Sequence, residues 1–147
     1  MGNVNVSKFN GRVTGPGGFI DLAQKTKKLI LVGTFTAGRL REHCEDGKLV
    51  IEHEGMYKKF KQSVEQITFS GAYAAQMQQD VLVVTERAVF RLTPDGLMLI
   101  EVAPGMDVER DILGQMEFKP LIAPDLKEMD SRIFKPEPMN LAKTIES

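Results

Sequence analysis

Two runs of four apolar residues stand out in the chain, Leu29-Ile30-Leu31-Val32 and Val81-Leu82-Val83-Val84. A strand carries such a run, with no polar alternation, when both its faces are covered, as in a sheet with parallel strands. Each run therefore predicts a fully buried strand. Just ahead of the first run, Phe19, Ile20, Leu22 and Ala23 recur at helical spacing, with Asp21 early and Lys25, Lys27 and Lys28 late. Acid first and base last suit the two ends of a helix dipole. A short helix from about Phe19 to Lys25 is expected. Ala88 to Leu92 and Leu97 to Val102 bracket Thr93-Pro94-Asp95-Gly96, a turn sequence that predicts an antiparallel hairpin.

Weaker signals fill the rest. Asn3, Val4, Asn5 and Val6 alternate like a strand or strand edge, and Lys8 to Thr14 is polar and turn-rich. Lys48 to Glu52 and Tyr57 to Lys61 flank Glu54-Gly55 and read as a second hairpin. Val64 to Phe69 alternates and reads as a strand. Gly71 to Gln79 suits either a short helix or a loop. Asp107 can cap a helix running through Val108 and Ile112 to about Met116. Beyond Lys119-Pro120 periodicity is lost. From Lys135, with Pro136 and Pro138, the chain reads as a poorly ordered tail. The sum is an α/β fold with a mixed, largely parallel sheet, flanking helices and β-hairpins. Residues 1–134 are expected to form one incomplete domain, and 135–147 the tail. The opening strand has no preceding element, so the sheet is expected to lack its first strands.

Composition narrows the classes. The chain has 147 residues, 42% apolar and 27% charged, with a formal net charge of -1. That length fits one domain with a sizeable core. A near-neutral chain offers no electrostatic draw toward nucleic acid or an anionic membrane. No apolar stretch approaches the roughly 18 residues of a membrane span. The single cysteine, Cys44, cannot form an intrachain disulfide, which suits a reducing compartment. The first nine residues hold no apolar signal core. Met1-Gly2 opens like a myristoylation signal, but Val6 stands where that signal needs Ser or Thr. A cytoplasmic location is expected.

The most chemical feature is Gly15-Pro16-Gly17-Gly18 ahead of a helix. Glycines let a backbone approach a ligand closely, and amides at a helix start suit phosphate, carboxylate or an oxyanion. A tight turn feeding a helix explains the same residues. The dinucleotide fingerprint fails, since Ile20 takes the place of its last glycine. No metal site is expected. His43, Cys44 and His53 have no further ligand at suitable spacing, and the adjacent His43 and Cys44 sit in a charged stretch. Ser70-Gly71 lacks the nucleophile-elbow pattern, with Thr68 in place of its first glycine. Asp21, Glu65, Glu86 and Glu101 lie on or beside predicted elements, where caps and ion-pair partners are the common roles. Glu86, beside Arg87, is the foremost of them as a candidate for chemistry.

Several stretches together resemble class I coenzyme A transferases. Gly15-Pro16-Gly17-Gly18-Phe19-Ile20-Asp21-Leu22 is similar to that family's G-x-G-G-hydrophobic-x-D-L segment. Val84-Thr85-Glu86-Arg87-Ala88-Val89-Phe90 is similar to its T-E-[RK]-A-V-F segment. Leu99-Ile100-Glu101 followed by Gly105-Met106-Asp107-Val108 fits its next conserved stretch. Gly2-Asn3-Val4-Asn5-Val6-Ser7 resembles a G-N-V-N-x-S segment of the acetate, propionate and acetoacetate branch. The resemblance spans Gly2 to about Phe134 and marks the chain as the C-terminal part of such an enzyme.

The resemblance implies ping-pong transfer of coenzyme A between short-chain carboxylates. A glutamate attacks an acyl-CoA thioester to give a mixed anhydride, and coenzyme A then converts that to a glutamyl-CoA thioester. The nucleophile belongs to an E-[SN]-G motif ahead of the glycine loop. This sequence contains no such triplet; Glu54 precedes Gly55 directly, and Glu146-Ser147 comes last. The chain alone is therefore expected to be inactive, with the glutamate on a missing N-terminal half or a partner subunit. By the same resemblance Gly18 supplies an oxyanion-hole amide, Gly15, Gly17 and Gly18 contact coenzyme A, and the assembly is a homo-oligomer. The partners implied are an acyl-CoA and a carboxylate, with no metal, nucleic acid or membrane. A non-catalytic binding or assembly subunit on the same fold is the alternative.

Overall fold

The computed structural model describes residues 2–142. Residues 143–147, the end of the expected tail with its Glu146-Ser147, lie outside them, as does Met1. In chain order the elements are β1 (Lys8–Phe9), β2 (Arg12–Val13), α1 (Phe19–Gln24), β3 (Lys28–Val32), β4 (Thr36–Ala37), β5 (Arg41–Glu45) and β6 (Lys48–His53). Then come β7 (Tyr57–Lys58), α2 (Gly71–Gln76), β8 (Asp80–Val84), β9 (Ala88–Thr93), β10 (Gly96–Val102) and β11 (Leu121–Glu128). Among the described residues no helix is long and apolar enough to cross a membrane.

Five strands form the central sheet in the order β11-β10-β9-β8-β3. The outer pairs β10–β11 and β3–β8 are parallel, and the inner pairs β8–β9 and β9–β10 antiparallel. The sheet is mixed as expected but not largely parallel, since parallel and antiparallel pairings are equal in number. The β9–β10 hairpin turns through Pro94-Asp95, with Thr93 opposite Gly96 and the Thr93 hydroxyl donating to the Gly96 carbonyl at 2.8 Å. Gly96 has φ +134, a conformation that excludes side-chain-bearing residues.

The core lies on both faces. Phe35, Phe90, Leu97, Leu99, Ile112 and Met116 form one cluster, with Phe60 wedged 4.6 Å from the Phe35 ring and 5.1 Å from that of Phe90. A second cluster joins Ala23 of α1, Ala74 of α2, Phe69, Val81 and Leu92. A third packs Val89 with Leu49, Ala103, Met129 and Phe134. Val89 and Phe90 are neighbours with opposite-pointing side chains, so this third cluster lies across the sheet from the first.

Several expectations need correction. Leu29 to Val32 is a strand, but not one buried on both faces: β3 is the last strand of the sheet, and Ile30 and Val32 are 60% and 80% exposed. Val81 to Val84 does lie between two strands, yet only Val81 is fully buried. The hairpin about Glu54-Gly55 does not form. β6 pairs with β5 across Asp46-Gly47, and β7 pairs with β4. Asp46 and Gly47 take φ values of 50 and 75, the two left-handed positions of a type I′ hairpin turn. That Asp-Gly signal outranks the Glu54-Gly55 one. Val64 to Phe69 is irregular, with one bridge from Phe69 to Val4, and the opening segment is tied further by the Val6 amide and Ser7 hydroxyl to the Thr68 hydroxyl and by the Gly71 amide, which donates to the Asn3 side chain.

Gly71 to Gln76 resolves as helix. Asp107 does cap a helical segment, accepting from the Arg110 amide at 2.7 Å. That segment is a π-helical turn, Val108–Ile112, followed by a 3-10 turn, Leu113–Gln115, rather than an α-helix. β11 lies where periodicity was lost. Pro124 cannot donate to a ladder, and the pairing to β10 jumps there, from Leu99↔Ile122 to Glu101↔Lys127. The irregular register erases the alternation that would mark a strand.

Candidate functional site

The glycine loop is held from below on two sides. The β1–β2 hairpin precedes it, and the Asn10 and Gly11 amides at the hairpin tip donate to Glu65. These donors hold the Glu65 carboxyl below its ordinary range. Behind the loop, Ala23 of α1 is buried, and the Gln79 side-chain amide donates to the Ala23 and Thr26 carbonyls at 2.6 and 2.7 Å. That bond ties the far end of α1 to the start of β8. Within the loop the Phe19 amide donates to the Pro16 carbonyl at 3.1 Å.

Gly15 and Gly17 have φ +77 and +54, and Gly18 sits at the start of α1 with φ -80 and ψ 4. All three are exposed. A Cβ built on any of them meets no atom within 4 Å. No hydrogen bond to the Gly17 or Gly18 amide is found among the described residues. The positive φ values of Gly15 and Gly17 make glycine a conformational requirement there. Gly18 has neither a conformational nor a steric need to be glycine within this chain. Its amide has no acceptor among the described residues, and the space around its Cβ position is open.

A second constellation gathers around Arg87, whose side chain is fully buried. Its guanidinium grips Glu54 with two bonds, at 2.7 and 3.1 Å, and donates to Glu86 at 2.7 Å. A further bond reaches the Asp111 carbonyl at 3.3 Å. Glu86 accepts the Phe35 amide at 2.8 Å with its other oxygen. Glu54 also accepts from the Thr36 hydroxyl at 2.5 Å. Burial alone would raise the Glu54 carboxyl, but the donors from Arg87, Thr36 and Gly55 outweigh it and hold it below its ordinary range. One arginine thus clamps the β8–β9 turn to the segment entering β4, to Glu54 after β6 and to the π-helical turn.

Glu86, the foremost carboxylate of the sequence, has both oxygens committed to this clamp. Arg87 was missed as its centre. The available signal was a charged pair set between the apolar stretches Val81–Val84 and Ala88–Phe90. Asp21 is exposed on α1, and Glu101 pairs with Lys127 at 3.2 Å. Ser70 caps α2, accepting from the Tyr73 amide at 3.3 Å. His43 faces Glu52 at 3.0 Å, and Cys44 is exposed. Among the described residues no three His, Cys, Asp or Glu side chains gather as metal ligands. An open cleft of about 400 Å³ lies between Glu54, Asp111, Gln115, Gly105, Leu49 and Ile51. The glycine loop does not line it, so clamp and loop are separate features.

No protein-family model matches the chain. Among curated proteins it is 54% identical over 133 residues to the acetate CoA-transferase YdiF of Escherichia coli strain K12. It is 51% identical over 138 residues to the caffeate CoA-transferase of Acetobacterium woodii. Each match covers 90% of this chain, but only 25% and 26% of those proteins. The chain therefore spans about a quarter of the length of the relatives it matches. Among solved structures, the acyl-CoA transferase YdiF apoenzyme from Escherichia coli O157:H7 superposes with a TM-score of 0.91 at 53% identity, covering 92% of this chain and 26% of that one. A thioester complex of that enzyme with CoA gives a TM-score of 0.90 at 53% identity, with the same coverage.

Proposed function

We propose, on the premise that this chain is a segment of a coenzyme A transferase, that it is the C-terminal piece carrying the oxyanion-binding loop of such an enzyme. The observation that carries the reading is the Gly18 amide, exposed and without an acceptor among the described residues at the start of α1. The reaction is glutamyl-CoA ping-pong transfer between short-chain carboxylates. A glutamate outside this sequence attacks the thioester carbonyl, and the carbonyl oxygen becomes an oxyanion that accepts from the Gly18 amide. Collapse expels coenzyme A as its thiolate and leaves a mixed anhydride. The thiolate then attacks the glutamyl carbonyl, releasing the first carboxylate and leaving a glutamyl-CoA thioester. The acceptor acid runs the same steps in reverse. A fixed amide helps because it is aimed at charge that exists only along the reaction path.

Gly15 and Gly17 set the turn, and with Gly18 they form the coenzyme A contact. The two relatives are named for different acids, acetate and caffeate, yet match this chain almost equally. The segment is accordingly assigned the shared task, handling the thioester, while the choice of acid lies elsewhere in the enzyme. The transferase-like unit ends at Phe134, the last buried side chain among the described residues. The complete enzyme is a cytoplasmic homo-oligomer.

A graft tests the reading. This chain replaces the matching segment of the Escherichia coli acetate CoA-transferase, and transfer from acetyl-CoA to a carboxylate is followed, with hydroxylamine trapping of the covalent thioester. The graft should turn over, and the chain alone should not. Turnover by the chain alone that vanishes on Glu54→Gln, or a folded graft that binds acyl-CoA without reacting, would overturn it.

A further inference from the structure

The glycine loop is braced at its ends. Among the described residues the hydrogen bonds of Gly15 to Gly18 run only forward, from the Phe19 amide to the Pro16 carbonyl and from the Leu22 amide to that of Gly18. A Cβ on any of its three glycines meets no atom within 4 Å, so no close packing at those glycines fixes the loop. Its aim is therefore set by what holds either end. The rear end is α1, seated by buried Ala23 and by the Gln79 side chain. The front end is Thr14. Its amide donates to the Ser7 carbonyl at 2.9 Å, and its hydroxyl reaches the Val6 carbonyl at 3.4 Å.

Ser7 is 2% exposed. Its hydroxyl lies 2.7 Å from that of Thr68, and the Thr68 hydroxyl also accepts the Val6 amide at 3.2 Å. Asn5 shapes the same turn, its side-chain oxygen accepting the Ser7 and Lys8 amides at 3.1 and 3.0 Å. Thr68 is itself well rooted. Its amide and that of Phe69 donate to the Val4 carbonyl at 2.9 and 3.0 Å, and Phe69 is buried in the second core cluster. A buried hydroxyl or amide left without a partner is costly. If the Thr68 hydroxyl is lost, the Val6-Ser7 backbone must shift to find other partners, and the Ser7 carbonyl that holds Thr14 shifts with it.

We infer that Thr68 and Ser7 are positioning residues for the Gly18 amide. Their shared hydroxyl bond fixes the Ser7 carbonyl, the carbonyl holds Thr14, and Thr14 sets where the glycine loop points. Neither hydroxyl acts on the substrate. Their effect is on geometry alone, where a misplacement of about 1 Å at a reacting centre can cost about 10²-fold in rate. The inference rests on the transferase reading, but its test is separable from it.

Thr68→Val keeps the shape and removes the hydroxyl; Thr68→Ser keeps the hydroxyl. In the graft described above, Thr68→Val should lower kcat by roughly 10–10²-fold with KM nearly unchanged, and Thr68→Ser should restore it. Ser7→Ala, which spares the Val6 bond, should give a smaller fall in the same direction, and it carries the test if Thr68→Val does not fold. Added to Gly18→Ala, Thr68→Val should cost less than about twofold more, because residues that act through one group are not additive. Unchanged turnover in Thr68→Val, a loss that multiplies in full with that of Gly18→Ala, or failure of Thr68→Ser to rescue would overturn the positioning role. A second readout needs no activity. In the chain itself, hydrogen exchange of the Thr14 amide should quicken at least ~10-fold in Thr68→Val and stay slow in Thr68→Ser, as the bond to Ser7 loosens. Unaltered Thr14 exchange would overturn the anchor. Quickened exchange beside an inactive unmodified graft would remove the transferase reading and leave the anchor standing.

Discussion

Removing the Arg87 side chain is the sharpest test of how this segment holds its shape. Arg87→Met keeps much of the volume and deletes three charge-assisted bonds to carboxylates, those at 2.7 and 3.1 Å to Glu54 and 2.7 Å to Glu86. Two carboxylates then remain without their cation. Breaking a buried pair from one side costs about 3–5 kcal/mol. Glu54 keeps 30% of its side chain exposed and Glu86 15%, so water can partly re-solvate both, and the low end, about 3 kcal/mol, is expected. Against a typical domain stability of about 5–15 kcal/mol that is a large fraction. The sign with pH follows from Glu54, whose carboxyl is held below its usual 4.5 in the folded state. Its contribution is complete above about pH 4.5 and is lost as pH falls through the lowered folded value. The gap between wild type and variant should therefore be flat from neutral pH to about 5 and narrow below about 4.5. Urea unfolding followed by circular dichroism across that range measures both quantities. A loss under about 1 kcal/mol at neutral pH, or a gap that widens on acidification, would refute the clamp as the source of stability.

Other outcomes follow from the same geometry. Gly15→Ala should destabilise the chain by about 1–2 kcal/mol, because φ +77 is strained for any residue with a Cβ, and thermal melting checks it. Gly18→Ala should leave the melting temperature of the isolated chain nearly unchanged, since its φ is ordinary and the Cβ meets nothing within 4 Å. In the active graft the same substitution should lower kcat by roughly 10²–10³ with little change in KM, as the methyl fills the space before the amide. Near-normal turnover would make Gly18 a plain turn residue. Leu99→Ala, at a fully buried position between Phe90 and the helical turns, should cost about 2–5 kcal/mol in urea unfolding.

The sequence determined those elements whose signals are local and strong. The Thr93-to-Gly96 turn, flanked by apolar runs, names its own hairpin. The glycine loop, the apolar spacing from Phe19 to Ala23 and Asp21 in the first turn name α1, while the expected lysines fall beyond its last turn. Asp107 caps the segment it precedes. The resemblance to coenzyme A transferases was legible from four short stretches, and with it the segment's family. Periodicity does not report partners. It cannot say that β5 pairs with β6 rather than β6 with β7, because two Gly-containing turns lie eight residues apart and tertiary packing decides between them. It hid β11, because Pro124 and the register jump break the alternation. It could not reveal Arg87 as a hub, because Glu54 and Asp111 are brought to it only by the fold. The apolar run of β3 correctly named a strand and misjudged its burial. Composition records the environment a strand is built for, and only the tertiary structure shows which of its edges this chain leaves open.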